Sequence, residues 1–305
     1  MLKTGLVGNL SDHEIDSVLT HPGFKVTGCF YPDSRENNPV SKQLPVLSAE
    51  NIIDGNEVLI FNRADRDNII LLYTALKNSK HIILLDICEL TPNRIAEIIK
   101  LREEAQTVIH TRQIERANPL LHECLPLITH PSLYDIEILI PNRELYRIGT
   151  IEKNLLRMID ALLFLNPVNI KKTQALSQSV NTPSTYFISS RIDFDSGSAA
   201  NLLFSNITNK ESFIIQIYQK RNILKIDMSG RELTIFEHSG KQNKIVSRTV
   251  KVKKRDRRIF YNELENFYQS ILSRNIYNHE LYETFRVMEL SHKLITKSGF
   301  TESGQ

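Results

Sequence analysis

The chain has 305 residues, 41% hydrophobic and 24% charged, with a formal net charge of +3. That length suits two domains with a large core, and the charge is too mild to make nucleic acid the expected partner. Three dispersed cysteines (Cys29, Cys88 and Cys124) give no disulfide framework and no zinc spacing. No apolar run reaches the roughly 18 residues of a membrane helix, and MLKTGLVGNLSDHE carries no signal pattern. The expectation is a cytoplasmic protein with three buried thiols and no membrane partner.

The first 118 residues alternate two rhythms. Strands are predicted over 3–8, 24–31, 57–62, 81–86 and 107–112, and helices over 12–21, 66–79 and 91–105. The helix at 66–79 repeats Ile69, Leu72 and Leu76 at helical spacing. Thr91 is placed as an N-cap, with Pro92 in the first turn, where a missing N–H costs nothing. Continuous apolar strands between helices predict a doubly wound parallel sheet covered on both faces, a Rossmann-type α/β domain over 1–118.

The second domain, 119–305, changes character. A helix at 151–165 precedes strand candidates at 185–194, 198–206, 212–218, 222–228, 231–236 and 244–252. Turn signals at 195–197, 220–222, 229–231 and 238–241 predict a large, open, mainly antiparallel sheet in an α+β domain. Helices at 257–273 and 280–296 close it, with core stripes Phe260, Leu264, Phe267, Ile271 and Leu281, Phe285, Met288, Ile295. Residues 119–150 resist assignment.

The strings MLKTGLVG (1–8), FKVTGCFYPD (24–33), KHIILLD (80–86), QIERANP (113–119), RMIDALLFL (157–165) and RIDFDSGSAANLLFSNIT (191–208) occur in an order and spacing that resembles the glucose–fructose oxidoreductase / inositol dehydrogenase family. Within it, the chain looks most like the dehydrogenases that oxidise UDP-N-acetylglucosamine at C3. The resemblance implies NAD(P), a sugar or nucleotide-sugar substrate, and a homodimer or homotetramer assembled through the open face of the second sheet.

The departures from that pattern carry the functional reading. A dinucleotide fold uses G-x-G-x-x-G so that backbone can approach pyrophosphate. Here Gly8, Asn9 and Leu10 lead into Ser11-Asp12-His13, leaving only the first glycine. Ser11 and Glu14 form an S-x-x-E capping box, which satisfies the helix's own N–H groups. Like charges about 4 Å apart at an effective dielectric near 20 cost on the order of 4 kcal/mol, so carboxylates at this end oppose a phosphate. The acidic residue expected to meet the ribose falls at Tyr31; Asp33 either substitutes for it or belongs to a Pro-Asp turn. On the nicotinamide side, Asn62 and Arg63 stand at the strand's exit, and the family's Thr-Pro-x followed by histidine becomes Arg63-Ala64-Asp65 followed by Asn68.

At the catalytic positions the family's Glu-Lys-Pro becomes Leu85-Asp86-Ile87, an anion where a developing alkoxide needs a cation. The family's His-x-x-Asp becomes Arg157 and Asp160. A guanidinium offers only donors and cannot serve as a base. Two arrangements stand for the exchanged pair: Asp86 with Arg157, making a strut or a small anion pocket, or each in its own surface network. Arg116, Arg143 and Arg147 lie where the resemblance implies substrate-side loops, able to hold a nucleotide-sugar or other small anion, and equally are ordinary surface arginines. KVKKRDRR (251–258) reads as a solvated strand end, or more sharply as a polyanion patch. No histidine spacing suggests a metal. Three functions follow: a degenerate dehydrogenase relative with NAD(P) binding weak or absent; an active dehydrogenase with displaced groups, Asp86 as base and Arg157 as alkoxide stabiliser; or an oligomeric interaction module.

Overall fold

A computed structural model describes residues 1–32, 44–64, 68–87, 90–112, 115–141, 149–180, 182–239, 244–251, 259–275 and 280–300. Cα packing divides the chain into two compact units, one of Met1–Arg112 with Arg255–Arg286, the other of Gln113–Lys254 with Val287–Gln305.

The first unit is built on strands β1 (Leu2–Val7), β2 (Phe24–Phe30), β3 (Val58–Phe61), β4 (His81–Leu84) and β5 (Ile109–Thr111). They form one sheet in the order β2-β1-β3-β4-β5, and each pair is parallel. Every residue of β3 has no solvent exposure, as expected of a strand covered on both faces. Helices α1 (Asp12–Thr20), α2 (Ala49–Asp54), α3 (Ile69–Lys77) and α4 (Pro92–Ala105) make the crossovers. Thr91 caps α4, its side chain accepting from the Arg94 N–H. Helix α2 has only six residues and no period to read, yet Ser48 caps it and Ile52 packs beside Gly5. A Cβ on Gly5 would stand 2.7 Å from Ile52, so the strand needs glycine there.

Helix α7 (Ile259–Leu272) returns to this unit. Its stripe of Phe260, Leu264 and Phe267 joins Leu6, Ile15, Val18 and Phe24 in one core cluster. Each such side chain contributes about 1.5–3 kcal/mol on burial. The sequence pattern divides the chain once, after residue 118; in the structure Arg255–Arg286, which includes this helix, packs with Met1–Arg112, its apolar stripe joining that core.

The second unit contains an eight-stranded sheet in the order β13-β12-β11-β10-β6-β9-β8-β7. Its strands are β6 (Pro131–Pro141), β7 (Ile170–Val180), β8 (Thr182–Phe194), β9 (Ala199–Thr208), β10 (Ser212–Gln219), β11 (Asn222–Asp227), β12 (Glu232–Ser239) and β13 (Lys244–Lys251). All pairs are antiparallel except β6 with β9. Strand β6 occupies much of the stretch that resisted assignment; its alternation buries Tyr134, Ile136, Ile138 and Ile140 on one face. Helix α5 (Pro119–Cys124) precedes it. Helix α6 (Gly149–Leu165) supplies Leu155, Met158, Ile159 and Leu162 to the same core. The last helix, α8 (Glu280–Ser298), adds Val287, Leu290 and Leu294. No helix among the described residues is long and apolar enough to cross a membrane. Cys29 and Cys124 are buried free thiols, and burial pushes the Cys124 thiol up to about 12; Cys88 lies outside the described residues.

Candidate functional site

In open α/β sheets, ligands meet the carboxyl ends of the strands. In the first unit that edge begins at Gly8, directly after β1. Its φ of +82° is a conformation that glycine adopts without strain. The Gly8 N–H donates to Phe30 O at the end of β2, and the Asn62 N–H to Val7 O, so Gly8 and Asn62 lie side by side. Asn9 follows, and then the Leu10 side chain turns inward: it is 4% exposed and packs in the cluster of Ile15, Val18 and Phe260.

Ser11 caps α1 as the sequence pattern predicts. Glu14 Oε2 accepts from the Ser11 N–H at 2.8 Å and from its hydroxyl at 2.7 Å, while the Glu14 N–H donates back to Ser11 Oγ at 3.4 Å. The other carboxylate oxygen, Glu14 Oε1, accepts from Arg112 Nη1 at 2.5 Å. Arg112 Nε donates to Glu263 Oε2 at 3.2 Å, and its guanidinium lies 4.4 Å from the Phe260 ring centre. Burial alone would raise the Glu14 pKa; hydrogen bonds from Arg112 and Ser11, with the Arg112 charge, outweigh it and hold the carboxyl below its usual value.

Tyr31 is partly buried and packs on the same core cluster. Arg63 is exposed, and its carbonyl accepts from Asn68 Nδ2 at 2.7 Å. Asn68, where the resemblance implies a histidine, is 3% exposed and stands directly before α3. Asp86 follows β4 at the carboxyl edge, partly exposed, with its carbonyl accepting from the Ala64 N–H. Asp33, Asp65, Arg143 and Arg147 lie outside the described residues, as does all of the basic run after Lys251 up to residue 258.

The second unit brings together Arg116, Arg157 and Asp160, and adds Glu115. Arg157 and Asp160 stand one turn apart on α6; Glu115 and Arg116 are neighbours in the loop before α5. The pairs cross: Arg157 Nε donates to Glu115 Oε1 at 2.6 Å, and Arg116 Nε to Asp160 Oδ1 at 2.5 Å. Arg157 Nη1 also reaches Asn154 Oδ1 at 3.4 Å, and its guanidinium lies 5.1 Å from the Phe213 ring centre. The Arg116 carbonyl meets His122 Nε2 at 2.6 Å. Glu115 is 4% exposed and Asp160 8%. Arg157, the partner weighed for Asp86, makes these bonds within its own unit.

Sequence reasoning did not single out Glu115, Arg112 or Glu263. Arg112 was within reach, since a cation one residue past a parallel strand faces the ligand edge by rule. Glu115 carried no such signal, because nothing local distinguishes a buried carboxylate from a solvated one. Among the described residues no group of three or more His, Cys, Asp or Glu side chains is placed to hold a metal ion.

No protein-family model and no curated protein matches the chain. Solved structures do. A UDP-N-acetylglucosamine 3-dehydrogenase, GnnA, from Acidithiobacillus ferrooxidans superposes with a TM-score of 0.83 at 16% identity, covering 97% of each chain. A biliverdin reductase from Synechocystis, in complex with biliverdin and NADP+, gives 0.80 at 14% identity, covering 98% of this chain and 99% of that one. An oxidoreductase from Agrobacterium radiobacter, in complex with NAD+, L-tartaric acid and magnesium, gives 0.78 at 11% identity, covering 98% and 96%. These neighbours are oxidoreductases of the glucose–fructose oxidoreductase / inositol dehydrogenase type, and the chain has their fold over nearly its whole length.

Proposed function

We propose that the chain is a non-catalytic or weakly active relative of the sugar and nucleotide-sugar dehydrogenases whose fold it has. One observation carries the reading. At the position where the resemblance implies a general base stands Arg157, committed to buried Glu115 at 2.6 Å, and Asp160 beside it is committed to Arg116. Neither α6 residue is arranged to take a proton from a substrate hydroxyl. General acid–base help contributes roughly 10²–10⁴-fold, so its loss alone removes efficient turnover.

The residues present do not fit a dinucleotide. Close backbone approach to pyrophosphate requires the motif's second glycine, and here Leu10 stands at that position and anchors the loop to the core. Bound NAD(P) would supply a hydride acceptor; this chain offers no glycine-rich cradle to seat it. A small anionic ligand such as a nucleotide-sugar is proposed for the Arg116 side of the second unit by the resemblance alone.

The same proposal includes self-association through the open face of the eight-stranded sheet. Opposite the core, Phe236, Ile223, Tyr218 and Leu133 pair across four adjacent strands as an apolar row. Lys225, Gln216 and Asp135 form the next row but one in register. A twofold contact must pair such a face with its own copy, and an apolar row with both signs of charge near it supports that reading.

The test titrates NADH and NADPH against the full chain, following nicotinamide fluorescence and Tm, and screens nucleotide-sugars with NAD+ and NADP+ for coenzyme reduction. A flat Tm and no reduction are expected. A clear rise at a cofactor excess of about 100 Kd, which linkage sets near 2.7 kcal/mol, overturns the proposal. So does reduction that Asp86→Ala abolishes.

A further inference from the structure

We infer that Glu14 is an internal anion that closes the phosphate seat of the first unit, an autoinhibitory contact locked by Arg112. The inference rests on the reading that wild-type chain takes no dinucleotide, and it names the residue responsible.

The first turn of a helix at the carboxyl edge of a parallel sheet presents free N–H groups and a partial positive charge, which draw anions. Here the chain's own carboxylate fills that role. Glu14 Oε2 takes the Ser11 N–H and hydroxyl, and Glu14 Oε1 takes Arg112 Nη1. Arg112 leaves the end of β5, at one margin of the sheet, and α1 leaves β1, the second strand from the other margin. Glu263 on α7 takes Arg112 Nε, so the guanidinium is shared between two carboxylates and rests on Phe260.

The cluster of Glu14, Glu263 and Arg112 carries one net negative charge, and Asp12 in the first turn of α1 adds another. The three side chains are 15%, 12% and 14% exposed, so solvent and salt screen them weakly. A phosphate arriving at α1 meets a net anion, and it gains Arg112 only by displacing Glu14. Without the Glu14 charge, Arg112 and Glu263 balance. In Glu14→Ala, Arg112 Nη1 and the Ser11 N–H face the space the carboxylate held; in Glu14→Gln the like charge is gone while the cap stays.

The test uses the full chain and inorganic pyrophosphate as probe, against sodium chloride at matched ionic strength. Wild type, Glu14→Ala, Glu14→Gln and Glu14→Ala with Arg112→Gln are compared by Tm and by titration calorimetry. Glu14→Gln keeps an acceptor for Ser11, so the cap survives if alanine weakens the fold. The wild type is expected to respond no more than to chloride. Both single variants are expected to bind pyrophosphate at least about tenfold more tightly than wild type, from relief of like-charge repulsion, and the double variant is expected to lose that gain. Pyrophosphate binding by wild type as tight as by the variants overturns the inference, as does no response from a folded single variant. NADH bound by wild type sinks the functional proposal and this inference with it. Flat variants with no NADH binding sink this inference alone.

Discussion

Replacing Arg157 by glutamine tests the crossed ion pairs directly. The change leaves Glu115, 4% exposed, without the guanidinium that donates to it at 2.6 Å. Breaking a buried pair from one side costs about 3–5 kcal/mol, because the remaining charge stays uncompensated. The Arg157 side chain is 33% exposed, so water recovers part of that. A loss of about 2 kcal/mol is expected, which for a unit of this size lowers Tm by about 4–8 °C. Glu115→Gln with Arg157→Gln removes both charges and leaves two amides that can pair, so a coupling of about 1–2 kcal/mol is expected in the double-mutant cycle. Calorimetry and far-UV circular dichroism of the four proteins give the cycle. Arg157→Gln within about 0.5 kcal/mol of wild type, or an additive cycle, would mean that the pair holds nothing. A catalytic Arg157 instead predicts a turnover defect with stability intact.

Three further outcomes follow from single sites. His21 sits between α1 and β2, its Nδ1 accepting from the Gly23 N–H and its Nε2 3.0 Å from Glu265. Burial lowers its pKa more than the Glu265 charge and hydrogen bond raise it. The unfolded chain therefore binds the proton more readily, and stability is full above the ordinary histidine pKa of about 6.5 and declines as pH falls below it. In His21→Gln that part of the pH dependence of Tm should vanish; an unchanged slope refutes it. Leu10→Ala should cost about 2–4 kcal/mol by chemical denaturation, because the side chain fills core volume; a loss near zero would show the loop free to adapt. Tyr218→Lys should abolish the proposed self-association in sedimentation while the far-UV circular dichroism stays native, by placing a charge in the apolar row. An unaltered assembly refutes the proposed face.

Much of the fold is legible locally. Runs such as HIILLD and VLIF have few alternatives to buried parallel strands. The caps of α1 and α4 follow from Ser11, Glu14, Thr91 and Pro92, because capping needs only residues three or four apart. Short or polar elements were harder to read. Strand β7, IKKTQALSQSV, is an edge strand whose polar residues face solvent, so its sequence resembles a loop. Strand β6 holds a clear alternation, but prolines at both ends read as breaks.

The sequence by itself determined two layered α/β units, the loss of two glycines after β1, the capping box, and the placing of an arginine where a base was expected. Each is a matter of residue identity or of spacing along a few positions. Only the tertiary structure decided what those charges touch. Arg112 and Glu14 are 98 residues apart, and Arg157 and Glu115 are 42 apart. A carboxylate far along the chain leaves no periodic trace in either neighbourhood, so its partner is chosen by packing. Only the folded chain could turn Leu10 inward, because burial there depends on α7 returning from beyond residue 255 to supply Phe260.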